Sequence, residues 1–445
     1  MSWELQDQRV QRRQLLQMGS SVLAAAVLAG SLPELGHAAS FEAAHDASSL
    51  QGTIRLRMET GPGKDMVHVV EAFKKEVPGI NIEFTQIDPA SAGSKWFWLA
   101  LQSKLTDLQD TENSKFFFLD SFLKDGFLQP ITKYVKQYHW DKVMVPGAIK
   151  HATRFGQVWQ LTLMYELPGI VYRKSVFEKA GVSVPKTWNE FLTVLSKFRS
   201  MGLIPLTVGH RGFSQIMELH MMLWSSIGGT KSIERLVFGK DKWTGGAPAA
   251  AANAVVYLYK HGFLDKDALS ITQNDAAERF LGGKAAMHVT GTWFYSEIQR
   301  DFGSDWDMFT APGPGGRPVW CLGEVHSMAI PKASLNPDAA ARFLDYCVAG
   351  NGAKILRQLG NLMATTKYSE LAIPQVKHLP LVTGEPSALD LFGWLPQATQ
   401  NAWQQGLGGI LDGSVSVNAW LNQVQQTWEQ DIASGNVPSY RSSIL

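Results

Sequence analysis

The sequence predicts an α/β fold built on a mostly parallel sheet with helices on both faces. Three observations predict it. Strand and helix signals alternate from residue 54 onward. Apolar residues make up 45% of the 445, enough for a large core, and the length suits two or three domains. Midway, residues 159–191 run strand, Pro-Gly break, strand, helix, helix.

The elements follow in order. Ile54, Leu56 and Met58 alternate with polar partners, giving a half-buried strand that ends at Glu59-Thr60-Gly-Pro-Gly63. Met66, Val69, Val70, Phe73 and Val77 repeat at helical spacing, and Ile80–Phe84 alternates again. Lys95–Leu105 reads as a helix and Lys115–Leu119 as a buried strand. Strands over Gln157–Leu163 and Gly169–Tyr172 flank the Pro-Gly break, and a short helix ends at Ala180-Gly181. Thr187-Trp-Asn-Glu190 reads as a capping box. A strand is expected over Ile204–Val208. Helices are expected over Ser214–Ile227, Ala249–His261, Asn274–Leu281, Asn336–Val348, Ala398–Leu411 and Ser416–Ile432, with Pro337 at a first-turn position.

Several of these pieces together resemble extracellular solute-binding proteins of sugar-importing ABC transporters, the class of maltose-binding protein. The carriers are Tyr172-Arg-Lys-Ser-Val-Phe-Glu-Lys-Ala-Gly-Val182, Pro185-Lys-Thr-Trp-Asn-Glu-Phe191, Phe280-Leu-Gly-Gly-Lys-Ala-Ala-Met287 with Gly291-Thr-Trp293, and Ala339-Ala-Arg-Phe-Leu-Asp-Tyr346. The match runs from about Thr53 to Ile432. Departures are Lys115-Phe116 before the third strand, Arg173 at the crossover asparagine, and Cys321, Glu324 and His326 on the glycine-rich return strand. The resemblance implies a two-lobed type II periplasmic-binding-protein fold with crossed connectivity, an interlobe cleft and a hinge. It implies lobes of about 50–158 plus 322–365 and 159–321 plus 366–435. It further implies a binding protein, not an enzyme, without cofactor, that takes a sugar and hands it to permease subunits as a monomer.

The first 39 residues read as a cleavable export signal. Arg12-Arg13 precede an uncharged apolar run, Ser20–Leu32, and small residues near Ala38-Ala39. The paired arginines resemble a twin-arginine signal. The apolar run is shorter than the roughly 20 residues that span a bilayer, and no cysteine follows Leu28-Ala-Gly30 to carry a lipid. A periplasmic protein without a direct membrane anchor is expected. Cys321 and Cys347 are the two cysteines; either a bridge or two buried thiols fits them.

With 41 basic and 40 acidic residues, the net charge of +1 offers no field for nucleic acid. The 15 tryptophans point instead to stacking against the apolar face of a sugar. The resemblance places a stacking ring at Trp293. Trp320 and Trp394 are further ring candidates. Polar candidates lie at strand ends, where open α/β sheets bind ligands: Glu59 with Thr60, Asp120, Tyr165 and Glu166 in the crossover, and Glu324 and His326 on the return strand. Arg211 beside His210 could face an acidic ligand, but a solvated turn fits it better. Two other readings remain open. An exported glycoside hydrolase needs only two carboxylates, which need not be close in sequence. A polyamine would also suit acidic and aromatic partners. The sequence holds no HExxH, G-x-S-x-G or P-loop, and its histidines lack ligand spacing, so no metal site is expected.

Overall fold

Ile54, Leu56 and Met58 are fully buried in β1 (Gly52–Glu59), as the alternation requires. The computed structural model describes residues 50–87, 100–111, 119, 122–145, 148–212 and 214–435; the export-signal reading lies outside them. Helix α1 (Thr60–Glu76) follows directly and buries Met66, Val69, Val70 and Phe73. Lys74 and Lys75 in its last turn suit the negative end of the helix dipole. β2 (Ile80–Ile87) then pairs parallel to β1.

The strand on the other side of β1 is β3, only Leu108–Asp110, also parallel. Sequence alone had put the third strand at Lys115–Leu119. Residues 112–118 lie outside the described residues, and Leu119 is a buried helical residue. Three buried residues are too few to show a period.

β4 (Gln160–Glu166) is buried at every residue but Glu166. It belongs to the first sheet, and the chain enters the second sheet with β5 (Pro168–Tyr172). The lobe cut expected at 158/159 therefore falls before a strand that hydrogen-bonds in the first sheet; the change of sheet occurs at Leu167. Gly169 is forced by packing, because a Cβ there would sit 2.7 Å from the Met308 sulfur.

After β5 come α2 (Trp188–Ser200), β6 (Ile204–Thr207), α3 (Gln215–Gly228), α4 (Gly246–Lys260), α5 (Gln273–Leu281), β7 (Ala285–Gly291), α6 (Tyr295–Phe302) and β8 (Asp307–Phe309). The N-cap of α2 differs from the expected box. Thr187 Oγ1 accepts from Glu190 N–H, but the Glu190 carboxylate accepts from Lys186 N–H, one residue before the cap. The reciprocal box stands at Thr272 and Asp275, opening α5.

β9 (Cys321–Ala329) returns to the first sheet, followed by α7 (Pro337–Val348), α8 (Asn351–Gln358) and the two-residue β10 (Leu362–Met363). β11 (Ala388–Leu389) pairs with the start of β9, and α9 (Gln397–Asp412) and α10 (Val417–Ala433) close the described chain. The first sheet runs β10-β4-β9-β3-β1-β2, the second β8-β5-β7-β6. Only part of the first sheet is parallel. β9 lies antiparallel to β3 and β4, because it enters by the return crossing from the other sheet rather than by a βαβ turn.

One core gathers β1, α1 and α7; the other gathers α2, α3, α4, α9 and α10. β9 links them, with Cys321 in the second core and Met328 in the first. Cys321 and Cys347 are buried free thiols, one in each core. Burial pushes the Cys321 thiol up to about 12, so it stays protonated and inert. No helix among the described residues is long and apolar enough to cross a membrane.

Candidate functional site

Three strand ends of the first sheet, those of β1, β3 and β4, gather beside one buried imidazole on β9. His326 lies on β9, where the ladder to β4 slips twice: Glu324 faces Tyr165, His326 faces Met164, and Ser327 faces Thr162. Irregular pairing of this kind re-aims a side chain. The His326 ring is 1% exposed. Its Nδ1 lies 3.2 Å from Asp110 Oδ2 and its Nε2 3.1 Å from Glu166 Oε1. Asp110 ends β3, and Glu166 ends β4. Asp110 Oδ2 also accepts the Glu59 N–H at 3.1 Å, at the junction of β1 and α1. Glu59, Asp110, His326 and Glu166 thus form one cluster at the sheet's end.

The crossing leads from this cluster to Trp293. Leu167, next to Glu166, exchanges two hydrogen bonds with Thr292: its N–H donates to Thr292 Oγ1 at 3.3 Å, and its carbonyl accepts the Thr292 N–H at 3.1 Å. Thr292–Phe294 is a single 3₁₀ turn after β7, and Trp293 in it is half-buried. The ring folds back over Gly291, where a Cβ would come within 2.0 Å of it. Glycine at 291 is therefore a condition for this ring position.

Beside the crossing, α1 meets α6. Lys64 Nζ lies 2.6 Å from Glu297 Oε1, and Asp65 accepts from Asn361 Nδ2 at 2.7 Å. Burial raises the Asp65 carboxyl above its usual range, against the opposing pull of the Asn361 hydrogen bond. The Lys64–Glu297 pair is largely exposed on the lysine side, which limits its contribution to under about 1 kcal/mol.

The remaining candidates fall elsewhere. Tyr165 is buried in the first core. Trp394 is buried in the second core and meets Phe238 edge-on at 5.7 Å, so it packs there rather than standing open. Trp320 is half-buried against the first core, with its ring 6.2 Å from His378. Glu324 lies opposite Tyr165 on β9. Asp120 lies outside the described residues. Arg211 is exposed and pairs with Asp275 at 3.7 Å, and His210 Nδ1 bonds Ser214 Oγ at 2.7 Å, which fits the solvated turn.

Asp110 and Thr292 escaped the sequence reading. Asp110 is the carboxylate that ends the strand beside β1, the role sequence reading gave to Asp120. Among the described residues no group of three or more His, Cys, Asp and Glu has the arrangement of a metal site. A bonded row of two carboxylates and an imidazole, with a half-buried indole across the crossing, offers hydroxyl acceptors and a flat apolar face.

The profile of the family described as bacterial extracellular solute-binding protein matches residues 59–349. An ABC transporter extracellular-binding protein of Pyrococcus horikoshii is 26% identical over 292 residues, 62% of this chain and 64% of that protein. A multiple sugar-binding protein of Streptococcus mutans is 22% identical over 256 residues, 55% of this chain and 58% of that one. Each match thus spans less than two thirds of the relative. Among solved structures, a chitin oligosaccharide binding protein superposes with a TM-score of 0.74 at 19% identity, covering 86% of this chain and all of that one (100%). Maltose-bound MalE3 of T. maritima superposes with a TM-score of 0.70 at 16% identity, covering 85% and 99%. The fold is the two-lobed type II periplasmic-binding-protein fold.

Proposed function

Because this chain belongs to the bacterial extracellular solute-binding proteins, we propose that it captures a sugar between its two lobes and delivers it to the permease subunits of an ABC importer, without chemical change to the sugar. The carrying observation is the row Asp110–His326–Glu166 beside the crossing, one residue of chain from the hydrogen bonds that Leu167 exchanges with Thr292, next to Trp293. Carboxylates accept sugar hydroxyls in charge-assisted bonds worth about 1.5–3 kcal/mol each, and an indole stacks on the C–H face. The names of similar proteins support the same ligand class. We assign the first lobe to the β1–β4 sheet with α7 and α8, and the second to the β5–β8 sheet with α9 and α10. The hinge then passes through Leu167 and β9.

The test is a thermal-shift screen of mono- and oligosaccharides on the purified protein, followed by small-angle scattering of the best binder. A sugar should raise the melting temperature and shrink the radius of gyration, and chromatography should return it intact. A cleaved glycosidic bond would move the reading to a hydrolase. Affinity should be nearly indifferent to salt, whereas a polyamine held by carboxylates would bind far more weakly as ionic strength rises.

The same function needs export, and we read Arg12-Arg13 as a twin-arginine signal cleaved near Ala38-Ala39, leaving a periplasmic monomer. Replacing both arginines by lysine should strand the precursor in the cytoplasm. Normal export of that variant in a strain without the twin-arginine system would overturn this route.

A further inference from the structure

Both ring nitrogens of His326 face a carboxylate oxygen, at 3.2 and 3.1 Å. A neutral imidazole has one N–H and one lone pair. With two ionised carboxylates it can satisfy only one of them, and its lone pair would face the other's oxygen. The two-bond arrangement therefore needs one further proton, and the imidazole, the more basic group, holds it as an imidazolium that donates to both sides. The row then carries a net charge of −1 rather than −2.

We propose that Asp110 and His326 are positioning residues that orient the Glu166 carboxylate toward the bound sugar through this one shared proton. The proposal rests on the sugar-binding reading of the same cluster. With Oε1 held by His326, the second oxygen of Glu166 is the acceptor that remains for a hydroxyl. Loss of the shared proton breaks one of the two bonds and releases Glu166 from its fixed geometry. Sugar affinity then falls as pH rises through that titration.

The groups around the ring bear on this. Asp110 comes from β3, Glu166 from β4, and Glu59 lies at the end of β1 with its N–H on the Asp110 oxygen. On the strand of His326 itself stands Glu324, and the Asp390 carboxylate lies against Gly323, within 3.0 Å of where a Cβ would be. The two side chains that meet the ring, Asp110 and Glu166, are both acidic, a setting that favours keeping the extra proton.

The row makes an unequal prediction for its two ends. Asp110 Oδ2 accepts from both His326 and the Glu59 N–H, so an oxygen must stay at that place. In Asp110→Asn the amide oxygen takes it, Nδ1 must still donate, and the ring still needs its extra proton to reach Glu166. In Glu166→Gln the new amide can donate to a neutral Nε2. Both bonds then form without the extra proton.

Nitrogen NMR of histidine-labelled, ligand-free protein reads this directly. Near neutral pH, His326 should show two protonated ring nitrogens in wild type and in Asp110→Asn, but one in Glu166→Gln. A singly protonated ring in wild type overturns the proposal, and if either variant fails to fold the wild-type spectrum still decides. Calorimetry with maltose, galactose and stachyose as probes gives the second readout. Wild-type affinity for a bound probe should fall roughly tenfold between about pH 6 and pH 8.5, the scale of one lost charge-assisted bond, and Glu166→Gln should bind more weakly with a flat profile. A flat wild-type profile with tight binding overturns the relay and leaves the sugar reading standing. Binding of none of the probes, with a doubly protonated ring, supports the relay and counts against these sugars.

Discussion

Trp293→Ala is expected to weaken sugar binding by roughly 2 kcal/mol or more, about 30-fold in Kd, while the protein keeps its melting temperature within a few degrees. The ring owes its place to local geometry. It sits half-buried on a single 3₁₀ turn, over a residue without a side chain, and the turn is held by Thr292 rather than by the indole. Removing the ring therefore takes away a contact face but leaves the two Leu167–Thr292 hydrogen bonds in place. Gly291→Ala supplies an independent route to the same result. Its Cβ would fall 2.0 Å from the ring, so the indole must leave its position although it is still present. Both variants should lose affinity by calorimetry. Wild-type affinity in Trp293→Ala would remove the indole from the site and leave the Asp110–His326–Glu166 row as the only part of the reading still standing.

Much of this was legible in the sequence, for reasons that differ by element. Helices such as α1 and α10 announce themselves because one face is buried over three or more turns, which leaves a period long enough to read. β4 resists a precise boundary because nearly all of it is buried, so neither alternation nor a polar edge marks its end. The expected cut at 158/159 accordingly precedes β4, whereas the chain changes sheet at Leu167. The sequence names Glu166 and His326 because they sit on the crossover and return strands, where the resemblance expects a ligand. Their partner Asp110 goes unnamed, since a three-residue strand in Thr-Asp-Leu-Gln-Asp has no pattern and its meaning comes only from pairing with β1 and β9. Trp394 shows the opposite difficulty. A chain with 15 tryptophans offers many rings, and whether one lines a cleft or packs on Phe238 is decided by tertiary neighbours that no local spacing records.

Acid should destabilise the second lobe before it touches the carboxylates. His220 and His288 are fully buried there, and burial pushes each down to about 4. Hydrogen bonding fixes a neutral ring in both. His220 Nδ1 accepts from Trp403 Nε1 at 3.1 Å, so Nε2 carries the proton and donates to Pro248 O at 3.0 Å. His288 donates from Nδ1 to Thr207 O at 3.3 Å. An unfolded histidine takes up its proton near pH 6.5. Between about 6.5 and 4 the unfolded chain therefore binds more protons than the folded one, and stability rises with pH across that window. The contribution is complete above about pH 6.5 and is lost as pH falls toward 4, at about 3 kcal/mol for each ring. His220→Gln separates this from general acid effects. Glutamine can donate to Pro248 O and accept from Trp403 without titrating. The variant should lose about 1 kcal/mol at neutral pH, the scale of imperfect hydrogen bonds. Its further decline in denaturant stability between about pH 6.5 and 4.5 should be smaller than that of wild type by about 2 kcal/mol. An equal decline in the two proteins would mean that His220 takes its proton in the folded state, and that the Trp403 bond does not hold the ring neutral.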